Sequence, residues 1–281
     1  MVTTPAPTWW EQQHALLCEL AQDGSEAWAD AGPPFSDALL QLLTEVEDAF
    51  AQTGTDTPAW EDPHLSAGGE LRDSREEEYS RCLDPGKYRI FWTRAEAWTR
   101  VLTARGWADV DVDDGAGIVW AVKPYVDRYR TTVLRPRRPG AQPLVLARTS
   151  PDEATGSGDL TGPDALIMGL VVGVGEPPVP VSTTPDCGCD ACDSGSRDLL
   201  EELDCLILSI VDGSFEAVLA PGWSSHRTSF CAGGGSGDED AHLDVTVTAQ
   251  PWAEGWTPRP LCPAIDPDDS APPARRERGS L

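Results

Sequence analysis

The sequence predicts an α+β fold in which a mainly antiparallel sheet packs with helices and a helical extension precedes it. Three observations lead to this class. Apolar residues recur at helical spacing in four segments, which predicts four helices. Between the third and fourth of these segments, and after the fourth, apolar residues instead alternate or run continuously over short stretches, which is typical of strands. The strand segments do not alternate with helices as they would in a βαβ chain. The 281 residues suffice for a buried core in one large domain or two small ones.

Segments at both ends of the chain are predicted to lie outside the central domain. Thr8 and Glu11 form a capping-box pattern at the start of a first helix, and a second helix is expected over residues 36–51. Proline and glycine among scattered acids then indicate a linker, so residues 1–70 are predicted to be a helical N-terminal extension and linker. Residues 257–281 are rich in proline and acids and then in arginine, which predicts a disordered tail.

An α+β domain is predicted over residues 76–256. A third helix is expected over 85–105 and a fourth over 196–211, each with one apolar face. Strand patterns lie at 118–122, 130–134, 144–148, 165–174, 179–182 and 243–249. The segment 223–230 is expected to pair with the last of these strands, and the glycine-rich residues 233–237 are predicted to form a flexible hairpin tip.

The charge of the chain excludes several classes of partner. With 47 acidic and 21 basic residues the net charge is −26, which repels DNA phosphates and anionic lipids, so we expect neither a nucleic-acid partner nor a membrane surface. The longest apolar run, residues 165–174, is about half of what a bilayer crossing needs. The first residues have neither the basic start nor the apolar stretch of a signal peptide. We therefore expect a cytoplasmic protein.

A cysteine motif between a predicted strand and the fourth helix is the main candidate site. Eight cysteines without a secretion signal argue against a disulfide framework, and three of them, Cys187, Cys189 and Cys192, form a C-x-C-x-x-C pattern. Clustered thiolates prefer zinc or copper(I) to calcium or magnesium. Gly188 allows the tight backbone that would turn its two cysteine neighbours toward one ion. These three cysteines are therefore predicted to hold a structural zinc ion.

The fourth ligand of a tetrahedral zinc site remains open at this point. Three carboxylates of the motif are local candidates: Asp186, Asp190 and Asp193. Three distant candidates depend on the tertiary fold: His226, Cys231 and His242. Cys205 is placed about 130° from the apolar face of the fourth helix and roughly 14 Å from its start, so it is expected to project from the polar side and to stay out of reach.

Two other interpretations of the motif compete with zinc. A compact, capped turn packed on the sheet would need no ion, since cysteine is readily buried and aspartate caps helices well. A thiol-redox role would use Cys189 and Cys192, because a helix N-terminus lowers the pKa of a nearby thiol. The neighbouring aspartates oppose that effect by disfavouring a thiolate.

The motif also carries a resemblance. Asp186-Cys-Gly-Cys-Asp-Ala-Cys-Asp193, with the upstream Glu78-Tyr-Ser-Arg-Cys-Leu-Asp-Pro85 and Tyr88, resembles a family of uncharacterised bacterial proteins, a domain of unknown function. The similarity covers about residues 76–216. The resemblance supports the domain boundary and the choice of motif, and it implies no activity, cofactor or substrate.

The remaining patterns favour a binding protein over an enzyme, although the sequence leaves an enzyme open. Ser225 and His226 are neighbours that would point to opposite faces of a strand, so they do not form a catalytic pair. Arginines between Arg128 and Arg138 are expected to pair with nearby acids; an anion pocket is the alternative. Four tryptophans are expected to line a groove or interface: Trp9, Trp223, Trp252 and Trp256. The leading hypothesis is a non-enzymatic interaction module for a protein partner, with a thiol-redox protein or enzyme as the alternative.

Overall fold

The computed structural model describes residues 7–23, 32–66, 68–79, 81–113, 117–124, 130–149, 168–236 and 244–264. Within these ranges it contains four α-helices and two antiparallel sheets, of five and four strands, which confirms the α+β class. The predicted tail lies largely outside the described residues, and its disorder stays a prediction.

The first two helices begin where their capping residues predict, whereas the third becomes α-helical only at Ile90, after a 3-10 helix over Pro85–Arg89, and so begins later than the predicted residue 85. The four α-helices are α1 (Trp9–Asp23), α2 (Asp37–Thr53), α3 (Ile90–Ala104) and α4 (Ser196–Asp212). The Glu11 carboxylate accepts the Thr8 amide at 2.8 Å, while the Thr8 hydroxyl accepts the Glu11 amide at 3.4 Å, which is the predicted capping box. Ser36 caps α2 by accepting the Leu39 amide at 3.3 Å. None of the described helices has the length and apolarity that a bilayer crossing requires.

The first sheet has its five strands in sequence order. They are β1 (Ala108–Asp113), β2 (Arg130–Pro136), β3 (Leu144–Thr149), β4 (Gly169–Val174) and β5 (Val179–Thr184). Strand β1 was not predicted, because aspartates alternating with small or branched residues at a sheet edge carry a weak apolar signal. The strand predicted at 118–122 was wrong, since Ala121 donates to the Pro178 carbonyl in an irregular segment. Residues 165–167 of the predicted fourth strand lie outside the described part.

The second sheet corrects two expectations about the C-terminal half. Its strands are β6 (Phe215–Ala220), β7 (Trp223–Thr228), β8 (Ala232–Ser236) and β9 (Val245–Thr248), in the spatial order β8-β7-β6-β9. Strand β9 therefore pairs with β6 and not with β7. The glycine-rich residues form strand β8 instead of a hairpin tip. A Cβ on Gly233 would lie 2.7 Å from Cε1 of His226, so a larger residue there would force the imidazole to shift.

All four helices and both sheets contribute to one hydrophobic core. Its largest fully buried side chains include Trp98, Tyr88, Phe91 and Phe215. Trp9 and Trp252 belong to this core, so the expectation that these two line a groove was wrong; Trp223 and Trp256 are half-buried. The division of the chain near residues 70, 76 and 256 stays a prediction, and limited proteolysis would test it.

A buried polar cluster lies where the helices meet. Asp204 of α4 is fully buried and accepts two hydrogen bonds from the Arg94 guanidinium, at 2.6 and 2.8 Å. It also accepts the indole N–H groups of Trp9, at 3.1 Å, and Trp98, at 2.8 Å. Arg94 donates in addition to Glu47 of α2 at 2.7 Å. This Arg94–Asp204 cluster joins all four helices, and burial is tolerated because each charge has its partner.

Candidate metal centre

The cysteine motif forms a compact loop between the end of β5 and the start of α4. The Sγ atoms of Cys187, Cys189 and Cys192 all lie within 4.8 Å of one another, and those of Cys187 and Cys189 are 3.2 Å apart. Cys189 is buried, Cys187 is half-buried and Cys192 is exposed. The three sulfurs therefore form a cluster with one side open to solvent. The arrangement could hold a metal ion.

The segment upstream of α3 holds this loop in place through two ion pairs. Arg81 Nε contacts Asp190 Oδ2 at 2.7 Å, and Lys87 Nζ contacts Asp193 Oδ2. The Leu83 amide also donates to Asp190, at 3.1 Å. Two segments that are far apart in sequence, both part of the family resemblance, are thus joined at one site.

Residues of the predicted linker form the other support of the loop. The Trp60 indole N–H donates to Asp193 Oδ1 at 2.8 Å, and the Ser196 hydroxyl donates to the Trp60 carbonyl at 3.1 Å. His64 is 7% exposed, and its Nε2 lies 2.9 Å from the Asp190 carbonyl oxygen. Sequence reasoning missed both Trp60 and His64, since neither belongs to a periodic pattern that would indicate burial.

A close backbone approach fixes the step from the loop into α4. Gly195 has φ +85°, and a Cβ there would lie 2.7 Å from the Asp62 backbone nitrogen. Only glycine accepts both constraints without strain. The Ser196 amide then donates to the Trp60 carbonyl at 3.0 Å. The start of α4, and with it the cysteine loop, is therefore docked on residues 60–62.

The local fourth-ligand candidates are already engaged. Asp190 and Asp193 are paired with Arg81 and Lys87, and Asp186 accepts the Cys187 amide at 2.7 Å. His242 lies outside the described residues. Among the described side chains the group within ligand distance contains the three cysteines and no fourth donor. A fourth ligand would then come from water or from another molecule.

Cys205, His226 and Cys231 lie elsewhere, along a cavity lined by residues of α4, β5, β7 and the loop after β7. Contrary to the expectation, Cys205 does not project freely from the polar side of the helix. It is partly buried and packs against the core, and it lines the same cavity as Phe230. The expectation that it stays out of the metal cluster is consistent with its place outside the three-sulfur group.

The three thiols differ in acidity. Burial raises the pKa of Cys187, and it contributes most to raising that of Cys192 to about 12. Burial acts in the same direction on Cys189, but hydrogen bonds from the other two thiols and from nearby amides outweigh it and lower the pKa. The ion pairs with Arg81 and Lys87 also offset two of the aspartate charges that the sequence suggested would oppose a thiolate. The cluster thus favours one thiolate, at Cys189.

The basic stretch between Arg128 and Arg138 pairs within the molecule, as expected. Arg135 contacts Asp111 at 2.9 Å and Glu176 at 2.6 Å, and Arg137 contacts Asp109 at 2.6 Å. Arg138 donates to two backbone carbonyls of the segment after β9. Arg128 lies outside the described residues. Because Arg135, Arg137 and Arg138 already contact acidic side chains or backbone carbonyls of the protein, these contacts argue against an anion pocket.

Residues 46–259 match the model of a family of unknown function, DUF6226, which extends beyond both ends of the resemblance over residues 76–216. The match spans the whole region and does not single out the cysteine motif. No curated protein and no solved structure matches the chain. Because the match covers more than half of its length, the chain belongs to the DUF6226 family of unknown function.

Proposed function

We propose that this protein is a non-enzymatic interaction module whose cysteine loop binds one zinc ion through Cys187, Cys189 and Cys192. The observation that carries the proposal is the convergence of three sulfurs within 4.8 Å on a loop supported from both sides. Three thiolates form a borderline-soft donor set that suits zinc. Bound there, the ion would cross-link the loop and so stabilise the start of α4.

Exposed apolar side chains on the segments that support the loop favour a protein partner. Leu83, whose amide donates to Asp190, is 75% exposed. Tyr79 directly follows Glu78, which is paired with Arg72, and is 54% exposed. Leu65 and Leu71 pair in a short bridge and are 46% and 73% exposed. Large apolar groups rarely remain exposed together without a partner. The proposed interface surrounds the cysteine loop.

The proposed location is the cytoplasm, where thiols stay reduced. All eight cysteines are free in the structure, and zinc binding requires its three cysteines as thiolates. The −26 charge makes a nucleic-acid or anionic membrane partner unfavourable, which leaves a protein as the proposed partner class.

The proximity of the Cys189 and Cys192 sulfurs, with the pKa of Cys189 lowered and that of Cys192 raised, supports one second candidate, a thiol-redox protein. The two thiols would lose two electrons and two protons to a disulfide-bearing oxidant and form a Cys189–Cys192 disulfide. This candidate predicts a disulfide in the isolated protein and no metal.

Elemental analysis with thiol counting tests both candidates on protein purified without chelator. We expect one zinc per chain and three thiols that react with an alkylating agent only after chelation, namely those of the cluster. Metal-free protein with three freely reacting cluster thiols would refute the zinc site. A metal-free protein with a Cys189–Cys192 disulfide in non-reducing peptide mapping would support the redox candidate instead.

The partner proposal is tested by a photo-cross-linking residue placed at position 83 in cells of the source organism. A discrete protein adduct is expected from position 83. The same residue at Val112, 51% exposed on the edge strand β1, is the control and should give no such adduct. Equal adducts from both positions would indicate random collisions and contradict an interface at the cysteine loop.

A further inference from the structure

Two cysteines outside the cysteine loop, Cys231 and Cys262, meet at the end of β7. The last residue of that strand, Thr228, donates its amide to the Cys231 carbonyl at 2.7 Å and accepts the Cys262 amide at 2.8 Å. In a regular antiparallel pair a single residue fills both roles, because it exchanges both hydrogen bonds with the residue opposite. Here the two cysteines share that one place. Their backbones are therefore neighbours, as a disulfide requires.

The thiols of the two cysteines are also close to each other. Sγ of Cys231 lies 3.6 Å from the hydroxyl oxygen of Thr228, the residue that both cysteines contact. Burial contributes most to raising the pKa of Cys262, and the Cys231 thiol adds to this rise, which requires the two sulfurs to be near each other. Cys231 is exposed, whereas Cys262 is half-buried. An oxidant in solution can therefore reach the pair through Cys231.

A buried arginine lies beside the half-buried thiol. Arg259 is 8% exposed, and its charge offsets part of the rise in the pKa of Cys262. Its Nη1 donates to the Pro33 carbonyl at 2.7 Å, and its Nε is buried without a hydrogen-bond partner among the described residues. Disulfide formation requires Cys262 to act as a thiolate, and a nearby positive charge stabilises that form.

Cys262 ends a segment that crosses the molecule after β9, the strap of residues 249–262. The Trp252 amide of the strap donates to the Val211 carbonyl of α4 at 2.9 Å, and Arg259 holds the strap to the residues that precede α2. The Cys262 amide then joins the strap to the end of β7. A covalent bond at Cys262 would therefore fix the end of the strap to the turn between β7 and β8.

We infer that Cys231 and Cys262 form a reversible disulfide, a redox switch that locks the strap in place. The Cys231 thiolate attacks a small-molecule disulfide such as oxidised glutathione, forms a mixed disulfide and releases one glutathione thiolate. The Cys262 thiolate then attacks the Cys231 sulfur and displaces the second glutathione. The two cysteines lose two electrons and two protons, and glutathione takes up both. This switch is independent of the zinc site.

Peptide mapping without reduction tests the pair on the full chain after incubation with oxidised glutathione. Cleavage after glutamate is suitable because Glu239 and Glu254 lie between the two cysteines, so a linked pair appears as two joined peptides. Cys205 is the competitor, since it lines the same cavity as Cys231. We expect Cys231–Cys262 linkage to exceed linkage of either residue to Cys205 by at least about tenfold, because adjacent backbones give a high effective concentration. Absence of this linkage, or linkage mainly to Cys205, would overturn the inference.

Two matched variants test the order of the steps. Cys262→Ser should stop the reaction at the mixed disulfide and leave glutathione on Cys231, whereas Cys205→Ser should form the same linkage as the natural protein. An unmodified Cys231 in Cys262→Ser would overturn the two-step route. Cys262→Ala replaces the serine variant if that variant does not fold.

Hydrogen–deuterium exchange measures the effect on the strap. Oxidation should slow exchange of the Cys262 amide by at least about fivefold, because a covalently fixed segment opens less often. The same oxidant should cause no slowing in Cys262→Ser at the corresponding amide. Unchanged exchange in the oxidised natural protein would show that the disulfide does not lock the strap.

Discussion

Two polar clusters, one centred on Asp204 of α4 and the other on the cysteine loop that precedes α4, differ in whether the protein completes them. In the Arg94–Asp204 cluster, the buried carboxylate of Asp204 accepts four hydrogen bonds and is paired with the positive charge of Arg94. At the cysteine loop, three sulfurs mainly contact one another, and one of them is exposed. A completed cluster can only support packing. An incomplete one with an open side leaves donor atoms for a ligand.

The surroundings of the two clusters also differ: one cluster is enclosed by helices, and the other has an open side. The Arg94–Asp204 cluster is enclosed by helices, and Arg94 and Asp204 are 2% and 1% exposed at their side chains. The aspartates of the cysteine loop make ion pairs that hold the loop in shape, while the sulfurs stay outside those pairs. In the loop, the aspartates that position it have charged partners from another segment, whereas the sulfurs have hydrogen-bond partners from within the motif itself.

The largest effect is expected from breaking the completed cluster. Arg94→Met leaves the Asp204 carboxylate buried without its counter-charge, and we expect the free energy of unfolding to fall by about 3–5 kcal/mol. Urea denaturation measures this loss. The double variant Arg94→Met/Asp204→Leu removes both charges and should recover part of it, because two apolar groups need no pairing. A double variant that is as unstable as Arg94→Met would contradict this account.

The next effect comes from the open cluster. Cys189→Ser should abolish stoichiometric zinc and lower the free energy of unfolding by about 3 kcal/mol at a zinc concentration some hundredfold above Kd. Metal content and urea denaturation with and without chelator measure both. Cys205→Ser is the control, since it lies outside the three-sulfur group, and its metal content should not change. Full zinc occupancy in Cys187→Ser, Cys189→Ser and Cys192→Ser would refute the site.

A third polar group, at the end of α4, makes stability depend on pH. Burial contributes most to raising the pKa of Asp212 from 3.8 to about 6. The folded state then holds a proton that the unfolded chain releases near pH 4, so this group stabilises the fold at low pH and its contribution is lost as the pH rises through about 6. Asp212→Asn should be more stable than the natural protein at pH 8 by about 1–2 kcal/mol.

Urea denaturation of both proteins at pH 4, 6 and 8 measures this difference. The gain from Asp212→Asn should shrink as the pH falls, because the natural side chain becomes neutral in the folded state. A gain that is constant over this range would show that the charge of Asp212 is not its cause.

The smallest effect is expected from an exposed ion pair, which gives the baseline for the other three changes. Arg137 and Asp109 are 58% and 67% exposed at their side chains. Such pairs contribute little, because water and salt screen them. Arg137→Gln should leave the melting temperature within experimental error, as differential scanning calorimetry would show. A drop of several degrees would mean that surface pairs of this protein cannot serve as a neutral reference.

The sequence contained a signal for the burial of Asp204, which was not predicted. Asp204 shares the apolar stripe of α4 with Leu200, Ile207 and Leu208, at steps of three and four, so its burial could have been predicted. A carboxylate at such a position needs a counter-charge, and Arg94 lies on the buried side of α3. Neither Trp60 nor His64 had a comparable signal, because each lies in an irregular segment whose course depends on tertiary contacts.

Local sequence determined the elements whose signals are contained in a few neighbouring residues. The capping residues Thr8 and Ser36 set the starts of α1 and α2, and the spacing of Cys187, Cys189 and Cys192 was enough to predict their convergence. The composition also determined the net charge of −26, on which the proposal of a protein partner partly rests.

Only the tertiary structure decided which distant segments meet. It placed Arg81, Lys87 and Trp60 around the cysteine loop, paired β9 with β6, and left the carboxylates of α4 facing a cavity. Periodicity shows which side of an element is apolar, but it carries no information about which other element covers that side. Those choices depend on packing and charge pairing summed over the whole chain, which no short segment encodes.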